Sequence, residues 1–413
     1  MTRAVREFLA TEVAGGVVLL VATTVALVWA NSPWSDAYDR LWHTEAVIGV
    51  GRWRLDLDLR HWVNDGLMAI FFLVVGLEVK REFLQGELRE RNKAVLPVAA
   101  ALGGMVVPAL LYTAFNLSGS GADGWGVPMA TDIAFALGVL ALVAPRLPGS
   151  LRIFLLALAI VDDIGAIVVI AVFYTSELQP AWLAAAAAIV VSVFGLRRLG
   201  MSARPLFVVL GVGLWLAVHA SGVHATIAGV VMGLLVPATP RLDREIMISR
   251  ADELLNVFTP DDARQTSKLA RLSVSELEWI QHMLHPLSSL LIVPIFALAN
   301  AGVALTAADL ADATRSPVTL GVVVGLVVGK TVGITGAAWL ATRAGIATLG
   351  AGVRWRQLTG VAALGGIGFT VSLFITDLAF DAERTIAEAK IGILAASLLA
   401  SVVGAVLLRS RAT

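Results

Sequence analysis

Apolar runs of about twenty residues recur from one end of this chain to the other, and no other feature limits its fold as tightly. They lie near 9–30, 61–84, 94–116, 125–144, 151–174, 181–200, 205–219, 223–237, 284–304, 317–342, 355–376 and 385–408. About 20 apolar residues cross the hydrocarbon layer as a helix, and a lipid-exposed backbone must satisfy its own hydrogen bonds. Only 15% of the 413 residues are charged and 58% are hydrophobic, whereas soluble domains carry roughly 25% charged residues. The fold expected is an all-α polytopic membrane protein of about 12 transmembrane helices in one domain, 1–413. The eighth run is too short to cross unaided. No small-residue cleavage site follows the first run, which reads as a retained helix rather than a signal peptide. With no cysteine, disulfides and thiolate metal sites are excluded. The net charge of zero says nothing about acidic or basic partners; no nucleic-acid partner is expected, and the lack of a phosphate-binding loop argues against ATP-driven pumping.

Basic residues orient the spans. With the N-terminus cytoplasmic, 23 of the 31 Lys and Arg fall in inner segments. Six fall outside: Arg40, Arg52, Arg54, Arg60, Arg315 and Arg384. Lys330 and Lys390 lie within spans. Both termini are therefore expected in the cytoplasm. Four of the six outer charges fall on or beside "VIGVGRWRLDLDL", whose alternation after a Gly-Val-Gly turn predicts a small extramembrane β-hairpin over 45–58. The polar stretch 239–282 is expected to form a cytoplasmic loop with one or two amphipathic helices.

Between Ile153 and Tyr174 the only charged residues are Asp162 and Asp163, at the middle of the run. A charge at the centre of a membrane helix costs about 2.5–3.5 kcal/mol on insertion scales. Neighbouring helix residues project about 100° apart, so the pair must face protein or water across a broad sector. Two ionised carboxylates this close repel each other, and burial adds to the penalty, so the pair should accept protons readily. A hard cation can replace those protons at the same oxygens. Asp65, Thr131, Asp132, Lys330, Lys390 and, nearer the cytoplasm, Glu78 are the other intramembrane polar residues. Lys390, near the end of its span, can equally snorkel to the interface.

Two spans look broken. "GVPMATDIAFALG" sets a proline, Thr131 and Asp132 inside one apolar run, and "ALGGIGFTVSLF" sets Gly365, Gly366 and Gly368 inside another. Unwound backbone at membrane depth is tolerated only where it lines a cavity or is buried in protein. The fourth and eleventh spans are the middle members of spans 3–5 and 10–12, which therefore read as inverted repeats with two broken crossing helices. Such pairs mark the substrate site of secondary transporters. Half-helix ends at mid-membrane carry partial charges, positive at N-ends and negative at C-ends. Asp132 suits the N-ends. Lys330 suits the C-ends or a carboxylate partner.

These residues also carry a resemblance. "NDGLMAIFFLVVGLEVKRE", "ATDIAFALGVLAL", "ALAIVDDIGAI", "SGVHATIAGV", "PIFALANAGV", "GLVVGKTVGI" and "GGIGFTVSLFI" occur in one order over nearly the whole chain. The sequence resembles the NhaA-type sodium/proton antiporter family, an example of inverted repeats. The resemblance implies an electrogenic exchanger of Na⁺ or Li⁺ for H⁺ in the bacterial inner membrane, regulated by pH and needing no cofactor. By position it makes Asp163 the main cation-binding carboxylate and Asp162 its partner, with Lys330 a candidate to pair with Asp162 and with Thr131 and Asp132 on the unwound span. It ties His224 to pH response, although helix packing explains that residue nearly as well. It extends a pH-sensing cluster to Glu78, Glu82, His282 and His285. Gln281 stands where the family pattern has a glutamate, and Glu278, three residues earlier on about the same helix face, is the expected substitute. The 45–58 hairpin matches the segment through which family members pair as homodimers. The stretch 239–282 is longer than the family pattern.

Two other classes fit less well. A cation channel needs a repeated filter loop, which the chain lacks. An intramembrane aspartyl protease needs aspartates meeting from different helices, whereas Asp162 and Asp163 are adjacent on one.

Overall fold

The computed structural model describes residues 3–50, 53–144, 147–175, 178–199, 204–240, 274–350 and 352–409. Most of the 239–282 stretch thus lies outside the described residues. Among the described residues, eight helices are long and apolar enough to cross a membrane: Val13–Ala30 within Arg3–Ala30, Leu59–Gln85, Arg91–Phe115, Gly149–Phe173, Pro180–Arg198, Glu276–Asn300, Pro317–Arg343 and Glu383–Arg409. Two further spans are bent pairs, Ala122–Met129 with Ile133–Val143 at 43° and Trp355–Leu364 with Phe369–Ala379 at 47°. Arg204–Ala220 and Thr226–Leu235 are shorter apolar helices, where the seventh and eighth runs were expected. The ninth span starts earlier than its apolar run, at Glu276, because Ser275 and Glu278 form a capping box there.

Strands β1 (Glu45–Val50) and β2 (Trp53–Asp58) pair antiparallel, with Glu45 opposite Asp58 and Val50 opposite Trp53. The Trp62 indole donates to the Ala46 carbonyl at 2.7 Å and ties the hairpin to the next helix.

The order helix, bent pair, helix occurs twice, over 91–173 and 317–409, as the inverted-repeat reading requires. These six spans pack around the point where the two breaks cross, with Arg91–Phe115 lying along Pro317–Arg343. Leu59–Gln85, Glu276–Asn300 and the three helices between Pro180 and Leu235 form a second group, with Thr226–Leu235 laid closely on Leu59–Gln85. Arg3–Ala30 touches both groups.

The glycines of the second break are needed for close approach. A Cβ on Gly366 would collide with the Leu326 carbonyl oxygen of the Pro317–Arg343 helix, and one on Gly368 would stand 3.1 Å from the Ala130 carbonyl of the other break. Gly366→Ala is therefore expected to push the second break away from the Pro317–Arg343 helix. Overpacking a tight contact costs about 1–3 kcal/mol, so detergent-solubilised protein should melt several degrees lower. An unchanged melting temperature would mean that this break does not lie against the Pro317–Arg343 helix as described.

Candidate functional site

The first site residue is fixed by helix ends. Asp132 is the N-cap of Ile133–Val143, its Oδ1 accepting from the Phe135 N–H at 2.9 Å. Its Oδ2 accepts from the Thr370 N–H at 3.1 Å and the Thr370 hydroxyl at 2.7 Å, in the first turn of Phe369–Ala379. One carboxylate thus caps two half-helices whose N-ends meet. Each N-end carries about half a positive charge, so the two together balance one carboxylate. The Asp132 backbone N–H also donates to the Ile367 carbonyl at 2.6 Å, joining break to break.

Beside the crossing, the Thr131 hydroxyl contacts two acceptors, Asp162 Oδ2 at 2.7 Å and the Gly365 carbonyl at 2.8 Å. The second belongs to the C-end of Trp355–Leu364, so the unwound residue satisfies an orphan carbonyl. Lys330 Nζ donates to the same Asp162 Oδ2, and both side chains are fully buried. Of the two roles open to Lys330, the structure shows the carboxylate partner. Asp162 Oδ1 is buried with no hydrogen-bond partner among the described residues.

Asp163 turns the other way. It lines a cavity of about 60 Å³ with Glu78, Thr131, Asp132, His285, Ser288, Ser289 and Thr370. A cavity of that size has room for a few waters. The site therefore presents an aspartate held by Lys330 and Thr131, another opening onto a mostly apolar cavity that carries a few polar groups, and a third already neutralised by helix ends.

Comparison with known proteins shows the family of the chain. The family described as Na⁺/H⁺ antiporter 1 matches residues 6–408. The chain belongs to that family. It is 50% identical over 409 residues to Na(+)/H(+) antiporter NhaA 3 of Frankia alni, covering 98% of this chain and 88% of the relative. It is 46% identical to Na(+)/H(+) antiporter NhaA 2 of Sorangium cellulosum, covering 96% and 87%. In fold it is similar to the sodium proton antiporter MjNhaP1 from Methanocaldococcus jannaschii, with a TM-score of 0.50 at 14% identity over 97% of this chain and 96% of that one. The antiporter is thus a multi-pass membrane transporter and its family is not one of enzymes.

Only part of the expected pH-response set of this antiporter comes together. Glu78 and His285 face each other at 3.8 Å and share the cavity with Asp163. Glu82 is buried but turns to the chain beyond its helix, accepting from the Glu87 N–H at 2.6 Å. Gln281 is buried with its Nε2 unpaired among the described residues. Glu278 is exposed and closes the capping box on Ser275 at 3.3 Å, so it does not take the place expected of the family glutamate. His282 is exposed. His224 lies elsewhere, its Nδ1 2.8 Å from the Thr226 hydroxyl and its Nε2 3.4 Å from Asp65. His219 approaches the same carboxylate at 3.8 Å.

Three groups near the site escaped the sequence reading. Ser288 and Ser289 line the cavity, and their only signal is two adjacent hydroxyls in an apolar run. Asn64 and Asn300 pair at 2.7 Å, and Asp377 holds Lys390 at 3.0 Å, which gives Lys390 a partner in place of snorkelling. The Asn64–Asn300 pairing, across 236 residues, leaves no mark in local pattern.

Proposed function

We propose that this chain exchanges Na⁺ or Li⁺ for protons across the bacterial inner membrane by alternating access, and that Asp163 is the carboxylate both ligands share. The observation that carries this reading is Asp163 opening onto the cavity beside the Asp162–Lys330 pair, at the crossing of two broken helices. Asp163 takes a cation from the cavity or protons in its place. Asp162 supplies the neighbouring oxygen, and Thr131 and Lys330 hold it. Asp132 keeps the crossing neutral and folded. Asp163 gives up one proton when the cation binds and the Asp162–Lys330 pair can give up a second, so more than one proton can leave for each cation bound, and exchange is electrogenic. Glu78 and His285, on the wall of the same cavity, are the members of the expected pH-response group best placed to tune it. Both termini lie in the cytoplasm and the hairpin outside.

The test is everted vesicles carrying a pH-sensitive dye, energised and then given Na⁺, Li⁺ or K⁺ across a range of pH. Dequenching by Na⁺ and Li⁺ but not K⁺ is expected. No response to either small cation at any pH would sink the reading.

The open edges and exposed Val47 and Ile48 of the hairpin support pairing with a second copy by strand addition. Deleting 45–58 should shift the detergent-solubilised protein from dimer toward monomer while exchange at modest salt survives, because each chain holds its own complete site. A dimer that persists after deletion would place the contact elsewhere.

A further inference from the structure

The half-helix Phe369–Ala379 belongs to the group of spans that carries the cation site, but its far end is gripped by the other group. Phe374 is buried against Phe72, with ring centroids 5.5 Å apart, against Phe296 at 6.1 Å, and edge-on to His224 at 5.0 Å. One turn further on, Asn64 Nδ2 donates to Asp377 Oδ2 at 3.4 Å. Asn64 is itself fixed by Asn300, whose Nδ2 donates to Asn64 Oδ1 at 2.7 Å and to the Phe296 carbonyl at 3.0 Å. Asp377 is fixed by Lys390 from its own group, at 3.0 Å. Four elements thus converge on one polar cluster, and only the Asn64–Asp377 bond in it joins the two groups. At the near end of the same half-helix the groups stand apart, leaving the cavity on which Asp163 opens.

We infer that the cavity faces inward, that the Asn64–Asp377 bond is a clasp that holds the outer side shut in this arrangement, and that its strength sets the balance between inward- and outward-facing states. The inference rests on the alternating-access reading. Alternating access requires the two groups to part on the outer side when they close on the inner, and this bond must then break. Lys390 and Asn300 remain with their own groups in both states, so neither charge nor carboxamide is left without a partner on opening. A state's population shifts only by its differential interactions. A hydrogen bond of ordinary net strength moves such a balance by up to about tenfold.

The chain has no cysteine, so a single reporter can be read cleanly. Val371 is buried on the wall of the cavity. A membrane-impermeant maleimide, applied to Val371→Cys from the cytoplasmic side in everted vesicles and from the outer side in right-side-out vesicles, reports how the cavity faces. Asn64→Leu removes the donor at similar volume and is expected to raise the outer-to-inner labelling ratio several-fold. Asn64→Asp places a second carboxylate against Asp377 and should raise it further. Cytoplasmic Na⁺ KM should rise in the same order, because fewer molecules face inward. Folding of each variant is checked by its melting temperature, and an unfolded Asn64→Asp still leaves Asn64→Leu decisive. A labelling ratio equal to that of the parent in folded Asn64→Leu overturns the clasp. The ratio does not depend on which ions are exchanged, so a failure here is distinct from a failure of the exchange reading.

Discussion

Asp163→Asn is expected to reduce Na⁺-driven proton movement in everted vesicles to the level of vesicles lacking the protein. The carboxylate opens onto the cavity, and an amide in its place can neither carry a proton nor offer the charge a hard cation selects. Protein levels should stay near normal, because removing a buried acid relieves a cost rather than adding one. Asp162→Asn is expected to behave differently in one respect. Its carboxylate neutralises the fully buried Lys330, and taking one partner from such a pair costs on the order of 3–5 kcal/mol. That variant should lose stability as well as exchange, while Asp163→Asn loses exchange alone. Exchange by Asp163→Asn close to the parental rate would remove Asp163 from the site.

The second large effect concerns pH. Protons and Na⁺ that share carboxylates exclude one another, so lowering cytoplasmic pH should raise the apparent KM for Na⁺. Where the shared groups are mostly protonated, linkage makes the rise about tenfold per pH unit for each proton displaced. The direction is fixed: affinity is highest at alkaline pH and is lost as pH falls. Competition needs no separate sensor, and enough Na⁺ restores the full rate. A sensor built on Glu78 and His285 acts otherwise, by shifting the two facing states and depressing the maximal rate at low pH. Competition is expected to dominate, because Glu278 is committed to its helix cap and Gln281 carries no charge. A maximal rate that stays strongly pH-dependent at saturating Na⁺, and loses that dependence in Glu78→Gln, would reverse the order.

How much of this was legible depended on the range of the interaction. The breaks could be read because Gly365, Gly366 and Gly368 interrupt a run that otherwise reads as helix, and the bend falls between Leu364 and Phe369. Asp132 could be matched to positive helix ends, since charge balance is a local argument. That one carboxylate caps both ends through Thr370 could not, because the partner lies 238 residues away. The same holds for Thr131, whose hydroxyl reaches Asp162 and the Gly365 carbonyl. Glu278 shows the opposite failure. Its spacing placed it correctly on a helix face, but Ser275 three residues earlier draws it into a cap.

Thr226–Leu235 has a consequence for how the protein is made. Ten residues rise about 15 Å, half the hydrocarbon thickness. Its C-terminal carbonyls are satisfied from outside: Lys80 Nζ donates to the Leu234 carbonyl at 2.7 Å and to the Val236 carbonyl at 2.5 Å, and the Arg197 guanidinium donates to Leu235. Gly229 lies against the Ala69 carbonyl too closely for any side chain. Such a segment is a poor unit for insertion by itself, being short and leaving bare carbonyls in lipid. Both helices that complete it, Leu59–Gln85 and Pro180–Arg198, precede it in the chain and are synthesised first. The segment therefore enters the membrane as a passenger on structure already in place, and damage to Lys80 or Arg197 should be felt first in biogenesis, before transport begins.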